Sequence, residues 1–80
     1  MIQRFSEEEA HSKLGLRVQL TRGLSRYQAG TRGTVVGIHP SETLGVLLEV
    51  EFDGYPQRHE FLGKDTFELF LAEETSSISK

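Results

Sequence analysis

The sequence predicts a mainly β domain, a small five-stranded barrel with a short N-terminal helix. Three observations lead there. Apolar and polar residues alternate in short runs, most clearly at Val46, Leu48, Val50 and Phe52. Gly, Pro and Asp punctuate these runs about every 8–12 residues, the spacing of strands joined by short turns. The chain has 80 residues, enough for one core but too few for a full sandwich, so rolling the sheet into a small barrel is the economical way to hide its edges.

The elements follow in order. Ser6 stands as an N-cap, and Glu9 three residues later completes a capping box. Phe5 and Ala10 occupy staple positions, and Glu7, Glu8 and Glu9 suit the positive end of the helix dipole. Gly15 after Leu14 is the stop. Such a short helix cannot stand alone, so it is expected to dock by Phe5, Ala10 and Leu14. From Leu16 the period becomes two, Leu16, Val18 and Leu20 alternating with Arg17 and Gln19 in a half-buried strand. Residues 21–33 carry Gly23, Gly30 and Gly33 with no regular pattern and read as a long loop. Residues 34–38 form the second strand, with Gly37 at a corner and Pro40 ending it, since proline cannot continue a central ladder.

Residues 45–52 are the clearest strand: Val46, Leu48, Val50 and Phe52 on one face, Leu47, Glu49 and Glu51 on the other. Asp53-Gly54 predicts a tight hairpin. The return strand, about residues 57–62, places His59 and Phe61 on one face and Arg58, Glu60 and Leu62 on the other. After a turn at Gly63-Lys64-Asp65, Phe67, Leu69 and Leu71 alternate with Glu68 and Phe70 as the last strand. From Ala72 the composition is acidic and then Ser-rich, which predicts a disordered tail. The expected organisation is thus a helical appendage at 1–15, a barrel at 16–71 and a tail at 72–80. Phe52, Phe61 and Phe67 fall in apolar alternations and are expected in its core.

Composition narrows the function. There is no cysteine, which removes disulfides, thiolate metal ligands and a thiol nucleophile. No apolar run approaches the roughly 20 residues of a membrane span, and the first residues are polar where a signal peptide is apolar. A reduced, cytoplasmic domain is expected. The net charge of −3 hides a segregation. Lys13, Arg17, Arg22, Arg26 and Arg32 lie in a stretch without acids, whereas nine acids between Glu42 and Glu74 face only Arg58 and Lys64. Either neighbouring strands interleave the two sets, or a basic loop stands on an acidic body and orients a charged partner.

Leu16 to Leu20, a long loop, Gly30-Thr31-Arg32-Gly33-Thr34-Val35-Val36-Gly37-Ile38 and Leu48-Glu49-Val50-Glu51-Phe52-Asp53-Gly54 together resemble the SH3-like small barrels. The glycine-rich segment is similar to the start of KOW-type modules and to a group of small bacterial SH3-like proteins of unknown function. More distantly it resembles barrel subunits of electron-transfer complexes, the ferredoxin–thioredoxin reductase variable subunit and a photosystem I subunit. The resemblance spans residues 16–71 and implies a barrel that serves as an accessory or interaction module; the KOW-type likeness implies RNA or the transcription and translation machinery. Peptide-binding SH3 domains carry an acidic first loop and a Trp-containing groove. Here that loop is basic, Tyr27 is its one aromatic, and Trp is absent, which argues against Pro-rich ligands.

Arginine forks match carboxylates and phosphates, and Tyr27 offers a stacking face, so the loop is the candidate binding element. The alternative is that Leu24 and Tyr27 pin the loop while its arginines are solvated or paired. His11, His39 and His59 lack metal-ligand spacing, Glu49 and Glu51 share a face without a cleft to perturb them, and no serine sits in a nucleophile motif. The expectation is a monomeric, non-enzymatic module without cofactor, metal or membrane contact. Arg22, Arg26, Tyr27 and Arg32 would meet an acidic protein surface, with Leu47, Leu62 and Phe70 supplying apolar area. An RNA contact by the same arginines is the alternative.

Overall fold

The computed structural model describes residues 3–74, and its regular structure begins where Ser6 caps helix α1 (Glu7–Lys13). The Ser6 hydroxyl accepts from the Glu9 N–H at 3.1 Å, satisfying one of the orphan donors of the first turn. Only this half of the capping box involves Ser6, because the Glu9 carboxylate turns to Lys64 Nζ, at 2.9 and 3.1 Å. Phe5 and Ala10 are buried as expected. Leu14 is not: it is 51% exposed. The chain reverses at Gly15, whose φ of +84° favours glycine, and the Gly15 N–H donates to the Val35 carbonyl at 2.8 Å. That reversal gives the inward position to Leu16, which packs against the core in place of Leu14.

Five strands follow: β1 (Arg17–Leu20), β2 (Arg32–Ser41), β3 (Gly45–Phe52), β4 (His59–Leu62) and β5 (Leu71–Glu73), with helix α2 (Lys64–Phe70) between the last two. They form one antiparallel sheet in the order β4-β3-β2-β1-β5. Among the described residues no ladder joins β4 to β5, so the sheet is not closed into a barrel.

Strand β3 has the predicted alternation. Val46, Leu48, Val50 and Phe52 are buried while Leu47, Glu49 and Glu51 are half-buried on the other face. Strand β2 is longer than expected and runs through Pro40, which is paired with Val46. Proline is tolerated there because β1 flanks β2 only over Arg32, Gly33 and Thr34, so at Pro40 the strand has a neighbour on one side alone. The register shifts between Val35 and Gly37, leaving Val36 as an exposed extra residue opposite no partner. Gly33 has a packing reason: a Cβ there would lie 2.9 Å from the Glu51 carbonyl oxygen and 3.0 Å from the Phe52 ring.

The C-terminal third differs most from expectation. Asp53-Gly54 does not make a two-residue hairpin: β4 starts only at His59, after an exposed loop over residues 53–58. Register then pairs Leu48 with Leu62 and Glu49 with Phe61. Leu62 is therefore buried and Phe61 is 51% exposed, the reverse of the predicted phase. The predicted last strand at Phe67 is instead α2. Phe67, Phe70 and Leu71 are spaced by three and four residues, which suits a helix side as well as a strand. Phe67 enters the core and meets Phe5 edge-on at 5.7 Å, while Leu69 points out. Strand β5 begins at Leu71 and pairs Leu20 with Leu71 and Val18 with Glu73, so Ala72 and Glu73 belong to the sheet rather than to a tail. The rest of the expected tail from Thr75 onward lies outside the described residues.

Candidate functional site

The connection between β1 and β2, residues 21–31, is held at its base and at its tip. At the base Leu20 N–H donates to Thr31 O and Gly30 N–H to Leu20 O, each at 2.8 Å. Thr21 N–H donates to Phe70 O, also at 2.8 Å, which ties the loop to α2. At the tip Leu24 and Tyr27 exchange both backbone hydrogen bonds, at 3.0 and 2.9 Å. Ser25 and Arg26 are thus the central pair of a tight turn. Ser25 adopts φ +56°, the one left-handed non-glycine residue described. That conformation costs an L-residue roughly 1–2 kcal/mol, so the surrounding contacts must hold it.

Tyr27 supplies that hold. It is 2% exposed, its ring tilted on Phe52 at a centroid distance of 4.5 Å and met edge-on by Tyr55 at 5.0 Å. The Tyr27 hydroxyl donates to Glu60 Oε2 at 3.2 Å. Burial raises the Tyr27 pKa, and the hydrogen bond to Glu60 adds to the shift. This corrects the expectation of an exposed stacking face, because apolar burial of the ring outweighs its availability to a ligand. Leu24 packs against the same core.

Three of the five basic residues of the segregated stretch are paired with acids. Lys13 pairs with Glu73. Arg17 forks onto Asp53 at 2.7 and 3.0 Å and donates to Thr34 Oγ1 at 2.7 Å. That fork lowers the Asp53 pKa and raises that of Arg17. Arg32 Nε lies 3.1 Å from Glu74 Oε2, close enough for charge pairing although that oxygen accepts no hydrogen bond among the described residues. None of these three pairs joins adjacent strands: Lys13 reaches β5 from α1, Arg17 reaches past β2 to the end of β3, and Arg32 reaches past β1 to the end of β5. Arg22 and Arg26 are exposed and make no ion pair among the described residues. The Arg22 guanidinium lies 5.8 Å from the centroid of the half-buried Phe70 ring, and Arg26 stands at the tip.

The expected apolar area is likewise divided. Leu62 is buried because register turns it inward, and it offers no surface. Leu47 is half-buried on the outward face of β3. Three residues that sequence reasoning passed over stand at the loop end instead: Ser25, Tyr55 and Arg58. The Arg58 N–H donates to the Tyr55 carbonyl at 3.1 Å, and the Tyr55 ring meets Tyr27, so the loop carrying Arg58 lies against the residue that anchors Arg26's turn. The meander supplies the missed signal, since the β1–β2 and β3–β4 connections of an antiparallel sheet leave it at the same end.

Two other regions bear on chemistry. A pocket of about 200 Å³ lies at the start of α2, and its two charged groups are engaged: Asp65 accepts from the Gln3 N–H at 3.3 Å and Lys64 pairs with Glu9. His39 and His59 both contact Glu49, and His11 is exposed on α1. Among the described residues no group of three His, Asp or Glu side chains has the geometry to hold a metal ion. No described helix is long and apolar enough to cross a membrane. No family model, curated protein or solved structure matches this chain.

Proposed function

We propose that this chain is a non-enzymatic interaction module, of the SH3-like small-barrel type, that docks as a monomer on an acidic protein surface through residues 21–31. One observation carries this reading: Arg26 is presented at the tip of a tight turn that is strained at Ser25 and anchored by the buried Tyr27. Strained backbone persists only where surrounding structure over-determines it, and such positions cluster at binding sites. A turn whose backbone is already fixed loses less freedom on binding than a floppy one.

Arg22 over Phe70, and Arg58 on the loop whose exposed Tyr55 it hydrogen-bonds, extend the cationic surface with apolar area nearby. The barrel type is supported by the strand order, a four-strand meander whose fifth strand returns to pair with the first. A protein partner is favoured over RNA because Lys13, Arg17 and Arg32 are already paired with acids and the net charge is −3.

The test is affinity capture from the native cell, followed by titration of the purified partner. A saturable one-to-one complex is expected, unaffected by nuclease. Arg26→Glu should weaken it at least roughly thirtyfold, as loss of about 2 kcal/mol at an anchor arginine does, with an unchanged melting temperature. Binding to RNA that falls steeply with salt would replace this function with the KOW-type one. No saturable partner of either kind would remove it.

A further inference from the structure

Outside the loop end, one cluster of titratable side chains crosses three strands. We propose that His39, Glu49 and His59 form a pH-sensitive clasp that holds the edge strand β4 on the sheet and loosens when His59 loses its proton.

Strand β4 needs such a tie. It is four residues long, it pairs with β3 alone, and Leu62 is its one fully buried side chain. The loop before it is exposed throughout. Apolar burial therefore holds β4 far less than it holds β3.

The clasp is built by the sheet itself. His39 of β2 and His59 of β4 sit diagonally across from Glu49 on the outward face. His39 Nε2 lies 2.6 Å from Glu49 Oε1, and His59 Nδ1 bonds Glu49 Oε2. Gly37 makes room, since a Cβ there would stand 2.7 Å from Glu49 Oε1. The Phe61 ring meets the His39 ring edge-on at 4.9 Å and covers one flank.

Proton counting gives the switch. A carboxylate only accepts, so each ring nitrogen that bonds Glu49 must carry hydrogen. The second nitrogen of His59, Nε2, lies 3.7 Å from Glu51 Oε1. An imidazolium presents N–H to both carboxylates. A neutral ring has one N–H, so whichever tautomer forms, a bare nitrogen lone pair faces Glu49 or Glu51. Deprotonation thus converts one attraction into a repulsion and removes the charge from the other. The charged groups facing the cluster are His39 from β2, Glu49 and Glu51 from β3 and His59 from β4; Glu60 is turned to Tyr27. No lysine or arginine of the described residues pairs with Glu49 or Glu51.

The titration directions agree. The bond to Glu49 raises the His59 pKa, helped by the charges of Glu49 and Glu51 and by the Pro56 backbone, against a smaller effect of burial. His39 first, then His59, lowers that of Glu49. A raised histidine contributes in full below its unfolded value of 6.5 and is lost as pH rises through the folded value. A lowered glutamate contributes above its unfolded value of 4.5 and is lost as pH falls through the folded one. The clasp is therefore tightest between these two unfolded values and opens on the alkaline side.

Amide exchange on the full chain, read by NMR between about pH 5.5 and 8.5 alongside the imidazole resonances, tests it. Protection factors of Glu60 and Leu62 should fall relative to those of Val18 and Leu20 as His59 titrates, with coincident midpoints above the ordinary histidine range. Glu49→Gln should return the His59 midpoint to that range and abolish the relative loss. If that variant does not fold, Glu51→Gln should move the midpoint in the same direction by less, since Nε2 loses its partner while Nδ1 keeps Glu49. β4 protection that tracks β1 at every pH, or a His59 midpoint unmoved in the variant that folds, would overturn the proposal.

Discussion

The loop over residues 21–31 and the strand β4 reverse the usual relation between regular structure and firmness. The loop has no ladder beyond the single Leu24–Tyr27 pair, yet Tyr27 anchors it among Phe52, Tyr55 and Leu24. β4 is regular, yet beyond its one ladder with β3 it has a single fully buried side chain, Leu62, and charged side chains at His59 and Glu60 that bond other elements. Apolar burial does not titrate and responds little to salt, whereas ion pairs do both. The irregular segment is thus the steady one, and the regular segment is conditional.

The comparison breaks most easily at Tyr27. Tyr27→Ala should cost about 3–5 kcal/mol, the usual range for deleting a buried aromatic, read as a shift in the urea midpoint. A cost below about 1 kcal/mol would mean that the loop is held by its base alone. Gly33→Ala tests the floor beneath both regions. Its Cβ would meet the Glu51 carbonyl at 2.9 Å, a backbone atom that cannot rotate away, so a loss of about 1–3 kcal/mol is expected in thermal unfolding.

Ser25→Gly sharpens the picture from the other side. It removes the left-handed penalty of roughly 1–2 kcal/mol but adds glycine's entropy cost of about 0.5–1 kcal/mol. A net gain of between zero and about 1.5 kcal/mol is expected, together with weaker partner binding if a rigid tip matters. The smallest effect belongs to β4. Global stability should decline gently as pH rises above His59's unfolded value of 6.5 and through its raised folded value, and Glu49→Gln should flatten that slope in denaturation curves taken across the range.

These contrasts also explain what the sequence revealed. Strand β3 was legible because Val46, Leu48, Val50 and Phe52 are all apolar and share the buried phase, with Leu47 the one apolar residue between them on the other face. The Ser6 cap was legible because capping is local. Phe61 and Leu62 were not, since two adjacent apolar residues fit either phase and only pairing with Phe61 opposite Glu49 chooses between them. Helix α2 was hidden because Phe67, Phe70 and Leu71 satisfy a helical spacing while Phe67, Leu69 and Leu71 satisfy a strand. Tyr27 was left between two readings, a stacking face or a pin for the loop, because a single aromatic in a polar loop has no period to say which way it faces; its burial selects the pin. Tyr55 and Arg58 required topology, because nothing local says that residues 53–58 lie beside residues 21–31.

Val36 carries one last consequence. Between Val35 and Ile38, both partnered with inward residues of β3, the chain of β2 takes one residue more than its neighbour. Two antiparallel tracks of unequal length cannot run straight together, so the longer must arc around the shorter. A chain lacking Val36 would keep every pairing from Gly33 to Ser41 and lose the arc. Curvature of this sheet is therefore separable from its partner choices, and could be tuned by a single deletion without rewriting either face.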